Sequence, residues 1–317
     1  MRIAITGGGG FLGRRLAKTL LGEKAVESIL LADIAPIRPF SSDTRLQVLL
    51  ADLSDEASAA EIARDADVIF HLAAVVSGQA EANFDIGMRV NLNGTRCLLE
   101  AARSAGRAPR FVFTSSLAVF GPPLPAVVTD ETAVHPQSSY GAQKAVGELL
   151  VTDYSRKGFI DGRVVRLPTV CVRPGLPNAA ASSFVSGIIR EPLHGQAAVC
   201  PVGTDLELWL CSPVAAVGNL AHAASLAPEA LGSRRIVNVP GITVTVGEMI
   251  SSLRKAAGEE AAARIAFKAD PVVKRIVSSW PARFDVGRAL ALGFRQDSGF
   301  DFLVSSFQQD EALEKGR

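Results

Sequence analysis

The stretch that most constrains this chain is its N-terminus. Arg2-Ile-Ala-Ile-Thr6 is apolar and β-branched, as a strand buried in a parallel sheet has to be. It runs straight into Gly7-Gly8-Gly9-Gly10 and Phe11-Leu12-Gly13, and then into a helical pattern over 14–21. A strand, a glycine turn and a helix in that order make an anion site. The first N–H groups of a helix lack partners, and glycine lets an anion come close to them. The spacing Gly7-x-x-Gly10-x-x-Gly13 alone is a common product of flexible turns. The next strand-like run, 28–32, ends on Asp33, twenty positions after Gly13. A carboxylate there is what a dinucleotide site uses to hold the adenosine ribose.

The first half of the chain repeats this alternation. Strand patterns at 46–50, 68–72, 110–114 and 163–167 are separated by helical patterns at 55–64, 81–104 and 140–157, with a proline-rich loop over 121–139. Strands alternating with helices predict an α/β fold, a doubly wound parallel sheet of the Rossmann kind. Ligands on such sheets bind at the carboxyl ends of the strands. Beyond residue 168 prolines interrupt the pattern. The pieces 236–239, 246–256, 265–268 and 285–292 read as a smaller C-terminal α/β domain for substrate. The expected division is 1–168 for the dinucleotide, with a return of the chain around 205–240, and 169–317 mainly for substrate.

Composition narrows the function classes. A net charge of +1 over 317 residues, 48% of them apolar, argues against nucleic acid as a partner. No run of eighteen apolar residues predicts a membrane span, and a strand from residue 2 leaves no room for a signal peptide. Cys97, Cys171, Cys200 and Cys211 are scattered in apolar surroundings, as buried thiols in a reducing cytoplasm would be. The four histidines share no ligand spacing, so no metal is expected.

The chemistry is carried by Ser139-Tyr140-Gly-Ala-Gln-Lys144 and Thr114-Ser115-Ser116. Tyr140 and Lys144 lie on one helical face. An ammonium and an oxidised nicotinamide beside the phenol would both stabilise its phenolate, letting Tyr140 act as a base. A hydroxyl at the end of the 110–114 strand can hold the substrate oxygen, and one of Ser115 and Ser116 has that role while the other caps the strand.

Together these residues resemble the extended short-chain dehydrogenase/reductase family, the NAD-dependent epimerases and dehydratases. The resemblance rests on Thr6-Gly7-x-x-Gly10-x-x-Gly13, Asp33, Asp52-Leu53, His71-Leu-Ala-Ala74, Asn91-x-Asn-Gly-Thr95, Ser115-Ser116-x-Ala-Val-Phe-Gly121, Tyr140-x-x-x-Lys144 and Leu292-Gly293-Phe294. It implies that Gly7, Gly10 and Gly13, with Phe11 and Leu12 between them, cradle the pyrophosphate. It also implies that Asp33 binds the ribose, that Asp52 and Leu53 flank the adenine, and that Ala73 lines the cofactor channel. Ser116 becomes the catalytic hydroxyl with Ser115 beside it, Tyr140 the acid/base, and Lys144 the ribose ligand that lowers the Tyr140 pKa. Asn91 would support the site and Pro168 pack near the nicotinamide. Asp33 repels a 2′-phosphate and is followed by apolar Ile34 and Ala35, so NAD is expected over NADP. The family also implies a homodimer through helices 81–104 and 140–157, although Val90, Leu98, Leu99, Val146, Leu149 and Leu150 could equally face the sheet.

Departures from the family's patterns bear on the reaction. Leu117-Ala118 stands where the dehydratases of the family carry an acidic pair, so elimination lacks its acid. Thr169 replaces the asparagine of many nucleotide-sugar enzymes, and Asp205, Glu207 and Leu208 precede Trp209 with no cation in reach, which disfavours a sugar diphosphate. The run Arg166-Leu-Pro-Thr-Val-Cys-Val-Arg173-Pro-Gly175, with Asn178-Ala-Ala-Ala-Ser-Ser-Phe184 and Ile188-Ile-Arg190-Glu-Pro-Leu193, resembles the branch that oxidises the 2-hydroxyl of D-erythronate, a four-carbon sugar acid. Arg173, Ser183 and Ser77 are then candidates for the acid alongside Ser116 and Tyr140. An interdomain salt bridge is the competing reading of Arg173 and Arg190. The other functions weighed are a sugar or nucleotide-sugar epimerase or reductase, and a non-catalytic NAD sensor.

Overall fold

The computed structural model describes residues 1–38, 40–175 and 179–315. Its strands are β1 (Arg2–Thr6), β2 (Ser28–Asp33), β3 (Leu46–Leu50), β4 (Val68–His71), β5 (Arg110–Ser116), β6 (Asp161–Leu167), β7 (Thr169–Val170), β8 (Ala198–Cys200), β9 (Glu207–Cys211), β10 (Ile236–Asn238), β11 (Ile242–Thr245) and β12 (Ile265–Phe267). Seven of them form the main sheet in the order β10-β6-β5-β4-β1-β2-β3, and every neighbouring pair is parallel. Strand order reverses between β1 and β4, which opens a crevice at the carboxyl edge.

Side-chain alternation explains the layers. Ile3, Ile5, Leu31 and Phe70 point to one face, where helices Phe11–Leu21 and Pro213–Ser225 bury Leu16, Leu20, Val217 and Leu220 against them. Ala4, Ile69, Phe111 and Phe113 point to the other, under Ile62, Leu98, Leu99 and Val151 of helices Glu56–Ala63, Gly94–Ala105 and Ser139–Arg156. The sheet is therefore doubly wound, as the alternation predicts.

The remaining strands make two small sheets, β11-β9-β7 and β12-β8. Helices Ser183–Leu193, Val246–Ala262, Pro271–Ser278 and Phe300–Lys315 share a second core with them, built on Val185, Ile189, Leu210, Met249, Leu253 and Leu303. Two pieces read there pack with the main sheet instead, the first of them inside the expected return of the chain around 205–240. Residues 236–238 pair with β6, and Val237 is buried in the main core. Helix Gly287–Ala291 puts Ala289 into the same core. An apolar strand is better buried on the open edge of β6 than in a small sheet.

The expected helix 81–104 is not continuous. It is broken into Ser77–Ala82, Phe84–Gly87, a π-helical turn Met88–Asn93, and Gly94–Ala105. Asn83 is extended and caps the second piece through a hydrogen bond from the Ile86 amide (3.0 Å). The wider turn carries Asn91 inward, an inserted residue that apolar periodicity does not reveal. Of the apolar positions on the two long helices, Leu98 and Leu99 face the sheet, whereas Val146 and Leu149 are exposed.

Candidate active site

A cavity of about 380 Å³ opens at the carboxyl edge, between the ends of β1, β4, β5 and β6. Gly7, Gly10, Phe11, Leu12 and Gly13 form one end of it. Gly7 takes φ +67°, and a Cβ there would lie 2.8 Å from the amide nitrogen of Ala73. At Gly13 a Cβ would meet the carbonyl oxygen of Gly7 at 2.4 Å, so only glycine lets the helix lie on the loop. Gly10 caps the helix with no side chain, which leaves the first N–H groups open to an anion. Asp33, the last residue of β2, accepts from the amides of Gly9 (3.0 Å) and Ala35 (3.1 Å). Each of its oxygens keeps a lone pair for a ribose hydroxyl. Glycine cradle, uncapped helix and carboxylate together fit a dinucleotide.

The other residues expected around the cofactor are placed less directly. Asp33, Asp52, Leu53, Ala73 and Asn91 do not line the cavity. Asp52 accepts from the Ser54 hydroxyl (2.7 Å) and amide (2.9 Å) and from Arg89 (3.1 Å), and the Ser54 hydrogen bonds hold its carboxyl below the usual range. Leu53 is buried and lies under Gly94. The Ala73 amide donates to Thr6 (3.3 Å). Asn91 is buried, accepts from the Val75 amide (2.9 Å) and donates to Gln143 (2.8 Å), so it ties the loop after β4 to helix Ser139–Arg156. Arg14, which sequence reasoning passed over, stacks on Phe40 and donates to the Arg38 carbonyl (3.1 Å).

Ser115, Ser116, Tyr140 and Lys144 all line the cavity. The hydroxyl of Ser115 donates to buried Glu148 (2.5 Å), so this serine is tied down from behind. Ser116 accepts from the Ala118 amide (3.1 Å) and lies near enough to the Tyr140 phenol to pull its pKa down, so its hydroxyl, unlike that of Ser115, is left to a ligand in the cavity. Lys144 is 3% exposed, donates to the Thr114 carbonyl (2.8 Å), and lies over the rings of Phe113 and Tyr140 at 4.8 and 5.7 Å. Burial pushes its pKa down to about 8, against an opposing pull from Glu148. Burial pushes the Tyr140 phenol up to about 12, opposed by Ser116 and Arg173. Without a cofactor, desolvation of the phenolate outweighs the opposing pulls of Ser116 and Arg173, and the phenol stays protonated near neutral pH. Beneath them His71 bridges Thr6 (2.7 Å) and Thr95 (2.8 Å). Thr95 gives its proton to the Asn91 carbonyl, so His71 donates from Nε2 and accepts at Nδ1. Burial, helped by the charge of Lys144, lowers its pKa to about 3 and keeps it neutral.

The far wall holds Ser77, Pro168, Thr169, Arg173, Ser182 and Trp280. Arg173 has its backbone clamped by helix Ser183–Leu193. Its amide donates to Ser186 (3.0 Å), and its carbonyl accepts from Arg190 (2.8 Å). Arg190 in turn pairs with Glu191 at 2.5 Å, on its own helix. Among the described residues the Arg173 guanidinium has no carboxylate partner, and its buried Nε has no hydrogen-bond partner. Burial holds its pKa below the ordinary guanidinium value. An interdomain ion pair is thus ruled out for Arg173 within those residues. Ser77 accepts from the Ala181 amide (3.2 Å). Ser183 begins the helix but does not line the cavity, where its neighbour Ser182 stands instead. Asn178 lies outside the described residues. Trp280 arrives from a segment over 100 residues away and carries no local signal. A cation does reach the start of β9: Arg283 pairs with Glu207 (2.5 Å), but both are outside the cavity. Among the described residues no cluster of three or more His, Cys, Asp or Glu is placed to hold a metal, and no helix is long and apolar enough to cross a membrane.

This electrostatic account predicts the alkaline titration of the protein without added cofactor. Both of its tyrosines, Tyr140 and Tyr154, are pushed up to about 12, chiefly by burial. At pH 10 ultraviolet difference spectra should show almost no phenolate, and absorbance for one half-ionised tyrosine would contradict the account.

Comparison with known proteins agrees with this geometry. Residues 3–238 match the NAD dependent epimerase/dehydratase family. The chain is 53% identical to D-erythronate dehydrogenase of Cupriavidus necator over 99% of its own length and 100% of the relative's. It is 50% identical to D-erythronate dehydrogenase of Haemophilus influenzae, over 97% of its length and 98% of that protein's. A solved structure described as a nucleoside-diphosphate-sugar epimerase from Agrobacterium tumefaciens superposes with a TM-score of 0.92 at 47% identity, covering 98% of this chain and 94% of that one. With its parallel sheet, glycine loop and Ser116-Tyr140-Lys144 set, this chain belongs to the NAD-dependent epimerase/dehydratase family.

Proposed function

We propose that this protein is an NAD-dependent dehydrogenase that oxidises the 2-hydroxyl of a small sugar acid, D-erythronate to 2-dehydro-D-erythronate. The observation that carries the reading is Arg173, a cation in the cavity wall with no acidic partner among the described residues, near enough to Tyr140 to act on its charge. A carboxylate seated on Arg173 puts the neighbouring hydroxyl toward Tyr140 and Ser116. The two relatives named D-erythronate dehydrogenase support this choice of acid.

In this reading Gly7, Gly10 and Gly13 hold the pyrophosphate, Asp33 the adenosine ribose and Lys144 the second ribose. Oxidised nicotinamide supplies the hydride acceptor and a positive charge near Tyr140. That charge offsets the desolvation that otherwise keeps the phenol protonated. Tyr140 takes the hydroxyl proton, and Ser116 donates to the oxygen as it becomes a carbonyl. Asn91 and His71 keep the supporting loop and strands in place without exchanging protons.

A sugar-diphosphate epimerase, the description attached to the Agrobacterium structure, is less well supported here. The charged residues lining the cavity are Lys144 and Arg173 alone among those described, and Arg283 is neutralised by Glu207 elsewhere. Exposed Val146 and Leu149 support a homodimer through helix Ser139–Arg156, and four free, buried cysteines support a reducing, cytoplasmic setting.

Assays with four- to six-carbon aldonic acids test the proposal. The four-carbon acid should release NADH, with kcat/KM higher for NAD than for NADP. Removing a charge-assisted hydrogen bond, worth roughly 1.5–3 kcal/mol, should make Arg173→Ala raise KM for the acid about 10- to 150-fold and leave KM for NAD unchanged. An unaltered KM for the acid would remove Arg173 from the role, and a preference for NADP would overturn the cofactor assignment.

A further inference from the structure

Behind Ser115 and Lys144 lies a buried ion pair that the reaction scheme does not use. Glu148, 2% exposed, sits one helical turn beyond Lys144 on the same face. Its Oε1 accepts from Ser115 (2.5 Å) and from Arg166 Nε (2.8 Å), and its Oε2 from Arg166 Nη2 (2.6 Å). Arg166, 6% exposed on β6, lies 4.7 Å from the Phe120 ring centroid and reaches Asn238 (3.5 Å). Asn238 donates to Asp130 (3.1 Å), which also accepts from Arg288 (3.1 Å).

Stability alone is a weak reason for such a pair. Desolvating two charges costs as much as their attraction returns, and apolar replacements of similar volume are often as stable. What the pair does supply is a fixed field beside the one buried ammonium of the site. The groups facing Lys144 can be enumerated. Its own helix brings Tyr140 and Glu148, β4 brings neutral His71, β5 the Thr114 carbonyl, and β6 Arg166 through Glu148. The segment after β7 adds Arg173, which acts on Tyr140. Glu148 is the one anion among them, and Arg166 governs how much of its charge Lys144 feels.

We propose that Glu148 and Arg166 are positioning residues that together set the pH at which the Tyr140–Lys144 couple can take the substrate's proton. The proposal rests on the acid/base reading of Tyr140. Glu148 favours the protonated couple, and Arg166 moderates it. No proton leaves Glu148 in the cycle; the proton moves from substrate hydroxyl to Tyr140.

The test is the pH profile of kcat for oxidation in the intact enzyme. Glu148→Gln removes the anion and leaves Arg166 charged, so the acid limb should move to lower pH by about one unit. Arg166→Met leaves the anion unmoderated, so the limb should move to higher pH by a similar amount. Ser115→Ala, a milder change that withdraws one donor from Glu148, should move it upward by roughly a few tenths of a unit. A purely structural pair would lower kcat at every pH without moving the limb. Limbs that stay in place, or that move in the same direction in Glu148→Gln and Arg166→Met, would overturn the proposal. If either large variant fails to fold, an unmoved limb in Ser115→Ala overturns it just as well. Failure of the acid/base reading has a different signature, since Tyr140→Phe would then turn over like the wild type.

Discussion

Helix Phe11–Leu21 can aim its unpaired N–H groups into the cavity only because its first turn lies on the carbonyl of Gly7. That approach leaves no space for a side chain at Gly13, and the loop's left-handed turn at Gly7 leaves none there either. The same loop touches both neighbours of β1 in the sheet. Gly9 donates to Asp33 at the end of β2, and Gly7 is in contact with the backbone after β4. One backbone packing constraint thus places the anion site, the ribose carboxylate and the loop leading to Asn91 relative to one another. The parallel sheet does the rest, because every strand ends on that edge.

Burial has opposite consequences for the groups it encloses. It keeps His71 neutral, so this residue can only bridge Thr6 and Thr95. It lowers Lys144 and raises Tyr140, which leaves the phenol protonated until a positive charge arrives beside it. A base that forms only when the oxidant is bound would couple proton removal to the presence of a hydride acceptor. Arg173 extends the same logic to the acid: a desolvated cation with no carboxylate partner among the described residues favours any small anion that enters.

How much of this was legible in the sequence varies with the physics involved. Strands β1 to β6 stand out because each is a short apolar run bounded by helix or turn signals. Gly7, Gly13, Asp33, Tyr140 and Lys144 stand at fixed local spacings, and the family resemblance picks out Ser116. The break at Asn83–Asn93 was not, since one widened turn barely disturbs an apolar pattern. That the Ser115 hydroxyl is engaged from behind depends on Glu148, a residue on another element. Whether Arg173 or Arg190 forms the ion pair depended on which carboxylate the fold brings near, and Glu191 turned out to serve Arg190. Trp280 and Ser182 reach the cavity through tertiary packing alone. The desolvation of Tyr140 is likewise a property of the surroundings that no local spacing carries.

The central claim is that the cavity moves a hydride from the carbon beside a carboxylate to bound cofactor, with Tyr140 taking the proton. Incubation with NAD and D-erythronate deuterated at C2 tests it most directly. The account predicts that the deuterium appears on the reduced cofactor in step with the 2-oxo acid formed. Deuterium lost to water, or retained on a sugar acid of inverted configuration, would contradict it.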